Sequence, residues 1–486
     1  MLLGNLIEKE NTADMHADLD MVINGICFDT RKIKSGDMFV AIRGFEHDGH
    51  AFISEAVEKG AACIICEEPP EVPAQYILAE DSRRALAYAS AEWFDNPASK
   101  LKVVGVTGTN GKTTVTSLVK QIIEMTTGDK VGLIGTNMNM IGDREIPAER
   151  TTPESYETQE LLALMVEADC RYAVMEVSSH ALYLKRVYGI EFEAGVFTNL
   201  SPDHLDFHAS LEDYAEAKAQ LFAASRNSVI NIDNEFARRM IEKATGEALT
   251  YAVNDESANL VAKSIKLRSD RVEFCILTPG KLSRVELHIP GMISVYNALA
   301  AIGTAFILGI DIDSAASAIK KCSGVMGRAE IVPTGGDFTV LIDYAHTPDA
   351  LSNIITTVRG YASGRVVTLF GCGGDRDSTK RPVMGAIAAR LSDFIIVTSD
   401  NPRTEKPDEI INDIMTGVTG SSTPCKVIEN RREAIYWALE NSEAGDVLIL
   451  AGKGHETYQI FGREKRHFDE REVVAEYFRY AESLRR

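Results

Sequence analysis

The sequence predicts an α/β protein of three domains, the central one carrying a mostly parallel sheet. Three observations carry that expectation. Residues 103–114 read as a strand, a glycine-rich loop and the start of a helix. Apolar, β-branched runs alternate with segments of helical spacing through most of the chain. Those runs repeatedly end in loops of small and charged residues, as strands do at the carboxyl edge of a parallel sheet. At 486 residues the chain exceeds a single core, since cores rarely grow past roughly 250 residues. We place the domains at 1–100, 101–330 and 331–486.

In the first domain, Met38-Phe39-Val40-Ala41-Ile42 reads as a strand, 52–59 as a helix closed by Gly60, and 62–66 as a second strand before the Pro69-Pro70 break. Polar groups gather at Asp29-Thr30-Arg31 and at Phe45-Glu46-His47-Asp48-Gly49-His50. By residue type alone the second cluster is a solvated turn. Cys63 and Cys66 have C-x-x-C spacing, but a strand sends them to opposite faces, so buried thiols are expected rather than zinc or redox chemistry.

The second domain opens with Val103-Val104-Gly105-Val106-Thr107-Gly108-Thr109-Asn110-Gly111-Lys112-Thr113-Thr114. Glycines let backbone N–H groups converge on a polyphosphate, and the following helix N-terminus adds partial positive charge. Lys112 would reach the outer phosphates, and Thr113 would offer its hydroxyl to Mg²⁺. The loop departs from the standard phosphate-binding spacing: Val106 stands six before Lys112, and the glycine lies one earlier at Gly105. A helix is expected at 158–168 and strands at 172–177, 195–200 and 226–233. The first two of these strands run into Ser178-Ser179-His180 and Ser201-Pro202-Asp203-His204-Leu205-Asp206. Glu176 and Asp203/His204 are thereby expected at the same sheet edge as Lys112 and Thr113. A helix at 214–222 carries Lys218, which taken alone reads as a surface lysine. An alanine-rich helix spans 295–308 with Asn297 near its start, and 324–328 reads as the linker out of the domain.

In the third domain four strands, at 340–343, 366–370, 394–398 and 447–450, each lead into a polar loop. These loops are Tyr344-Ala345-His346-Thr347-Pro348, Gly371-Cys372-Gly373-Gly374-Asp375-Arg376-Asp377, Ser399-Asp400-Asn401-Pro402-Arg403 and Gly452-Lys453-Gly454-His455-Glu456. No G-x-G-x-x-G dinucleotide fingerprint is present, because Arg376 occupies the sixth position.

With 51 basic and 71 acidic residues, the formal net charge is −20. Such a balance argues against nucleic acid or an anionic membrane as the main partner. No signal peptide and no 18-residue apolar span is visible, so the cytoplasm is the expected location.

Seven of these motifs, in order along the chain, resemble the Mur ligases of cell-wall synthesis. They are Gly108–Thr114, Glu176-Val177-Ser178-Ser179-His180, 199–206, Asp343–Pro348, 373–377, Asp400–Arg403 and Gly452–Glu456. Within that family the resemblance is to the MurE branch, which adds the third amino acid of the peptidoglycan stem, and it covers essentially the whole chain. It implies an N-terminal nucleotide-sugar domain, a central P-loop-type ATPase domain and a C-terminal Rossmann-like domain that brings the amino acid. It also implies the activity: ATP-dependent addition of meso-2,6-diaminopimelate to UDP-N-acetylmuramoyl-L-Ala-D-Glu, through an acyl phosphate and a tetrahedral intermediate. A monomer is expected.

Residue by residue, the resemblance implies ATP contacts at Gly108, Thr109, Asn110, Gly111, Lys112, Thr113, Thr114, Asn297, Arg328, Asp343 and His346. Nucleotide-sugar and peptide contacts fall on Thr30, Phe45, Glu46, His47, Thr151, Thr152, Ser178 and Arg186. Amino-acid contacts fall on Arg376, Asp400, Asn401, Pro402, Arg403, Gly452 and Glu456. Thr113 and Glu176 would ligate one Mg²⁺, and His204 a second. Lys218 matches a lysine that Mur ligases carry as a carbamate, an anionic ligand where a free ammonium would be repelled. Lys112, Lys218 and His204 form the catalytic set. Leu184 stands where some relatives have glutamine, and Ser294 where asparagine is common.

Asp400-Asn401-Pro402-Arg403 resembles the signature of the diaminopimelate-adding enzymes. Arginine's planar fork suits a carboxylate, which meso-diaminopimelate has at its far end and lysine lacks. Four other readings are an L-lysine-adding enzyme, a folylpolyglutamate-type ligase, a nucleotide-hydrolysing switch and a non-enzymatic binding module, the last opposed by the charged groups that converge at two sheet edges. The switch would turn over ATP without an acceptor amine. Two sheets with polar edges also lead us to expect domain closure during the reaction.

Overall fold

The strand Lys102–Thr107 lies at the heart of a parallel sheet because its residues are apolar on both faces, the pattern of strands covered by helices on either side. The computed structural model describes residues 1–44, 47–202, 207–268, 270–322 and 324–485. It divides into two units, residues 1–261 with 299–315 and residues 262–298 with 316–486.

In the first unit, Lys102–Thr107 pairs in parallel with Ala194–Phe197 on one side and Tyr172–Glu176 on the other. Asn227–Asn231 and Glu247–Ala252 extend the sheet beyond the former. Val131–Ile134 extends it beyond the latter, followed by the antiparallel Asn139–Ile141 and Arg144–Ile146. The register sets Val106 opposite Glu176 and Thr107 opposite Phe197. Three loops therefore leave one edge at one level, as the sequence led us to expect. A core of Leu162, Met165, Phe192, Leu221 and Phe222 packs helices onto this sheet.

The same unit holds a five-stranded sheet, ordered Thr12–His16, Tyr76–Ala79, Cys63–Cys66, Met38–Val40, Ile26–Cys27. It is parallel except for the first pair. Sequence patterning finds the adjacent strands Met38–Val40 and Cys63–Cys66 and the helix Ile53–Glu58, but not Tyr76–Ala79 or either edge strand. Thr12–His16 is an exposed edge with no apolar alternation, and Ile26–Cys27 is two residues long. Cys63 and Cys66 are buried free thiols; burial pushes them up to about 12 and about 11 respectively.

In the second unit the order is Glu330–Val332, Thr339–Asp343, Val447–Ala451, Val366–Phe370, Phe394–Val397, Cys425–Val427. All pairs are parallel except the first. Period-two alternation divides the strand residues between two cores. Leu341, Ile449 and Ile395 pack with Leu351, Met384 and Ile414, whereas Ile342, Leu450 and Ile396 pack with Ile435 and Val473. All four predicted strands are present. The unit also holds the antiparallel hairpin Val272–Thr278 and Lys281–Leu287, where charged residues interrupt the apolar pattern and hid it from sequence reading. No helix among the described residues is long and apolar enough to cross a membrane.

Candidate active site

The glycine loop is held open by its neighbours rather than by its own residues. Gly108 has φ of 148°, and a Cβ there would sit 1.9 Å from Thr198 Oγ1, so no other residue fits. Thr109 N donates to Asn199 O at 2.9 Å, and Asn110 N donates to Asn199 Oδ1 at 2.9 Å. Thr198 Oγ1 and Asn199 Nδ2 both donate to Asn110 O, at 2.6 and 3.0 Å. The end of the strand Ala194–Phe197 thus grips the loop from the side. Gly111, at φ of 89°, precedes the helix Lys112–Thr127, whose first turn has no side-chain cap. Its leading N–H groups take no side-chain cap, and such a helix end favours negative charge. Lys112 Nζ folds over the loop, donating to Gly108 O at 2.8 Å and Thr109 O at 3.0 Å. Thr114 is buried just inside the helix.

Glu176 is 1% exposed, and its carboxylate gathers three donors. Thr113 Oγ1 donates at 3.1 Å, Thr136 N at 2.8 Å and Thr136 Oγ1 at 3.0 Å. Thr136 Oγ1 also lies 3.1 Å from Thr151 Oγ1. Thr152 Oγ1 donates to Glu176 O at 2.8 Å and accepts from Ser178 N at 3.1 Å, while Ser178 Oγ caps the short helix Ser179–Tyr183. Arg186 donates to Thr152 O at 3.2 Å and to Glu154 Oε2 at 3.3 Å, an oxygen that also accepts from Arg83 at 3.2 Å. Burial lowers the Arg186 pKa, opposed by the Glu154 charge. Thr113, Thr151, Thr152, Glu176, Ser178 and Arg186 are therefore one connected surface. Sequence reading missed Thr136, Glu154 and Arg83, although Glu154 directly follows the Arg-Thr-Thr-Pro run.

Lys218, on the helix Leu211–Ala223, is 1% exposed, with Nζ 4.3 Å from the centre of the Tyr214 ring. The surface-lysine reading of that residue is wrong: the helix turns this face inward. Tyr214 OH in turn lies 3.2 Å from Thr109 Oγ1, which links Lys218 to the glycine loop. His208 was not anticipated; its Nε2 lies 2.9 Å from Ser179 Oγ. His204, Phe45 and Glu46 lie outside the described residues. Thr30 is buried, its carbonyl accepting from Lys59 Nζ at 2.9 Å, and His47 is exposed with its ring edge-on to Phe52.

In the second unit, the loops after Phe394–Val397 and Val447–Ala451 meet around Lys453. Its ammonium is fully buried and donates to Asp400 Oδ1 at 3.1 Å, Asn401 Oδ1 at 3.1 Å and Glu456 Oε2 at 2.9 Å. Burial raises the Asp400 pKa, but the charges of Lys453 and Arg431 outweigh it and hold the carboxyl below its usual value. Asn401 Nδ2 donates to Glu456 Oε2 at 2.9 Å. Gly452, at φ of 111°, leads the second loop. Arg403 adopts a left-handed φ of 50° and is clamped on both sides, donating from N to Ile460 O and accepting at O from Gly462 N. Its guanidinium donates to Gly374 O at 2.6 Å. A Cβ at Gly374 would lie 1.9 Å from Pro402 O, so the two loops touch backbone to backbone. Arg376 is exposed beside them.

Elsewhere in this unit, the Asp343 carboxylate accepts from Ala329 N at 2.7 Å and Ala345 N at 2.9 Å. Arg328 stacks over Tyr344 at 5.0 Å, and His346 Nδ1 donates to Tyr344 O at 2.7 Å. Asp343, Arg328 and His346 thus share one corner of the unit, and Asn297 is buried on the helix Met292–Ile307.

A glycine loop at a helix N-terminus, with an acidic strand end beside it, defines a nucleotide-phosphate-using α/β enzyme; the second unit adds a mixed-charge side-chain cluster at its sheet edge. Comparison with known proteins narrows this. Three family models match: "Mur ligase family, catalytic domain" at residues 22–101, "Mur ligase middle domain" at 106–305 and "Mur ligase, glutamate ligase domain" at 327–454. The UDP-N-acetylmuramoyl-L-alanyl-D-glutamate–2,6-diaminopimelate ligase of Caldanaerobacter subterraneus is 50% identical over 457 residues, 93% of this chain and 94% of the relative. The enzyme of that name from Clostridium tetani is 46% identical over 98% of this chain and 99% of its own length. A solved structure of a ligase of that name superposes with a TM-score of 0.74 at 31% identity, covering 99% of both chains. This chain belongs to the Mur ligase family.

Proposed function

We propose that this chain is the ATP-dependent ligase that joins meso-2,6-diaminopimelate to UDP-N-acetylmuramoyl-L-Ala-D-Glu, making a peptidoglycan precursor in the cytoplasm as a monomer. One observation supports the choice of amino acid most directly. Arg403 is set in a strained, doubly clamped backbone position on the loop that also carries Asp400 and, through Asn401, holds Glu456. A cation and carboxylates carried by the same pair of loops suit the far end of meso-diaminopimelate, which carries both a carboxylate and an ammonium; a lysine side chain offers only the ammonium.

The three working parts fall at 1–100, 101–330 and 331–486. The first, with Thr30 and the loop 45–47, takes the uridine nucleotide. Thr151, Thr152, Ser178 and Arg186 hold the dipeptide. The D-glutamate carboxylate attacks the γ-phosphorus of ATP, ADP leaves, and an acyl phosphate results. The amine of the incoming amino acid then adds to the acyl carbon, giving a tetrahedral intermediate that expels phosphate and leaves the amide. Lys112 and the N–H groups of Gly108–Thr114 stabilise the charge on the transferred phosphoryl group. Asn297, Arg328, Asp343 and His346 complete the nucleotide's surroundings. Arg376, Asn401, Pro402, Arg403, Gly452 and Glu456 hold the amino acid.

The donor set at Thr113 and Glu176 fits Mg²⁺, a hard cation that takes oxygen ligands and relies on one or two carboxylates plus phosphates. Bound there, it would neutralise phosphate charge. Lys218 carries a carbamate in the working enzyme, formed when its amine adds to CO₂ and releases a proton; with His204 it would serve a second ion.

The test is phosphate release with ATP, Mg²⁺ and the UDP-linked dipeptide, comparing meso-diaminopimelate, L-lysine and no amine. Release that depends on meso-diaminopimelate is expected. Lysine dependence would overturn the specificity, and turnover indifferent to both amines would overturn the ligase.

A further inference from the structure

Lys453 was not among the residues expected to touch a substrate, yet it is the centre of the side-chain cluster just described. Its side chain is completely buried, and its three ammonium hydrogens meet three acceptors, on Asp400, Asn401 and Glu456. Those acceptors come from loops after two strands that are not neighbours, since Val366–Phe370 lies between them. At a strand spacing of about 4.8 Å, the loops start roughly 10 Å apart. A four-carbon stem with a three-donor head spans that gap; a shorter polar side chain does not.

We propose that Lys453 is a positioning residue for the acceptor amino acid, acting through Asn401 and Glu456. The proposal rests on the ligase reading above. Two geometric facts carry it. The Asn401 amide is oriented by what it faces: Oδ1 accepts from both Lys453 Nζ and Ile460 N at 3.1 Å, which leaves Nδ2 to donate to Glu456. Without the ammonium, the amide loses half of what decides its orientation. The ammonium also separates and balances Asp400 and Glu456. It offsets part of their charge and leaves carboxylate oxygens able to accept from a substrate ammonium.

The experiment measures KM for meso-diaminopimelate, ATP and the UDP-linked dipeptide, together with kcat, in wild type and Lys453→Met. The methionine keeps the stem's length and removes the charge. The expected result is a rise of about tenfold or more in KM for meso-diaminopimelate, the scale of losing hydrogen bonds to charged groups. The other two KM values should stay within about twofold of wild type. An unchanged amine KM, or a parallel rise in all three, overturns the proposal. Lys453→Gln, which keeps a donor in the same space, is the second variant if the methionine protein does not fold. If neither folds, the ammonium serves stability alone and the proposal fails. Wild-type protein that releases phosphate without regard to the amine would instead overturn the ligase reading, and the proposal with it.

Discussion

Thr113 Oγ1 donates to Glu176 Oε2 across 3.1 Å, so the first helical turn after the glycine loop and the end of the adjacent strand share one carboxylate. Thr136, at the end of the next strand along, donates to the same group twice. The carboxylate is thus aimed by donors from two separate elements. Glu176→Gln keeps the shape and an acceptor for Thr136 N but removes the charge. It should lower kcat by on the order of 100-fold or more in phosphate-release assays, with a melting temperature near that of wild type.

Lys218 is buried beside the Tyr214 ring. If its working form is a carbamate, Lys218→Ala should lose most activity, and a small added carboxylate should restore part of it by filling the vacated space. Full activity of the variant without any such addition would count against the carbamate.

Arg403 presents its guanidinium from a left-handed backbone position that its clamp to the hairpin Tyr458–Phe461 and Glu464–His467 maintains. Arg403→Ala should raise KM for meso-diaminopimelate about 10- to 100-fold, as expected for a lost two-pronged charge contact. Competition assays should show L-lysine excluded less strongly, because the repelling cation is gone.

His455 packs against Tyr344 at 4.8 Å, and its Nδ1 has no hydrogen-bond partner among the described residues. Burial, helped by the charges of Arg328 and Arg471, lowers its pKa to about 4 from 6.5. Between those values the unfolded chain binds the proton and the folded chain does not, so the histidine's contribution to stability is present above about pH 6.5 and is lost as pH falls towards 4. Chemical denaturation of wild type and His455→Gln at pH 8 and pH 5 should show wild type losing more stability on acidification, by on the order of 2 kcal/mol. Equal losses would refute this.

Much of the architecture was legible in the chain. The strands of both parallel sheets are near-continuous apolar runs, because helices cover both faces, and such runs end abruptly where polar loops begin. The glycine loop and the Asp400–Arg403 turn could be located for the same reason: local backbone demands leave local residue signatures. The edge strands Thr12–His16 and Cys425–Val427 left none, since an exposed strand has no buried face to impose alternation.

By itself, then, the sequence determined the class of fold, the succession of buried strands and loops along the chain, and the chemistry at their ends. The tertiary structure decided which groups meet. Lys453 finds Asp400 across 53 positions, Thr136 finds Glu176 across 40, and Arg83 finds Glu154 across 71. It also decided that Lys218 is inside. Period and propensity act over a few residues and so can be read along a chain. Partners for buried charges depend on strand order and register, which only the assembled sheet sets.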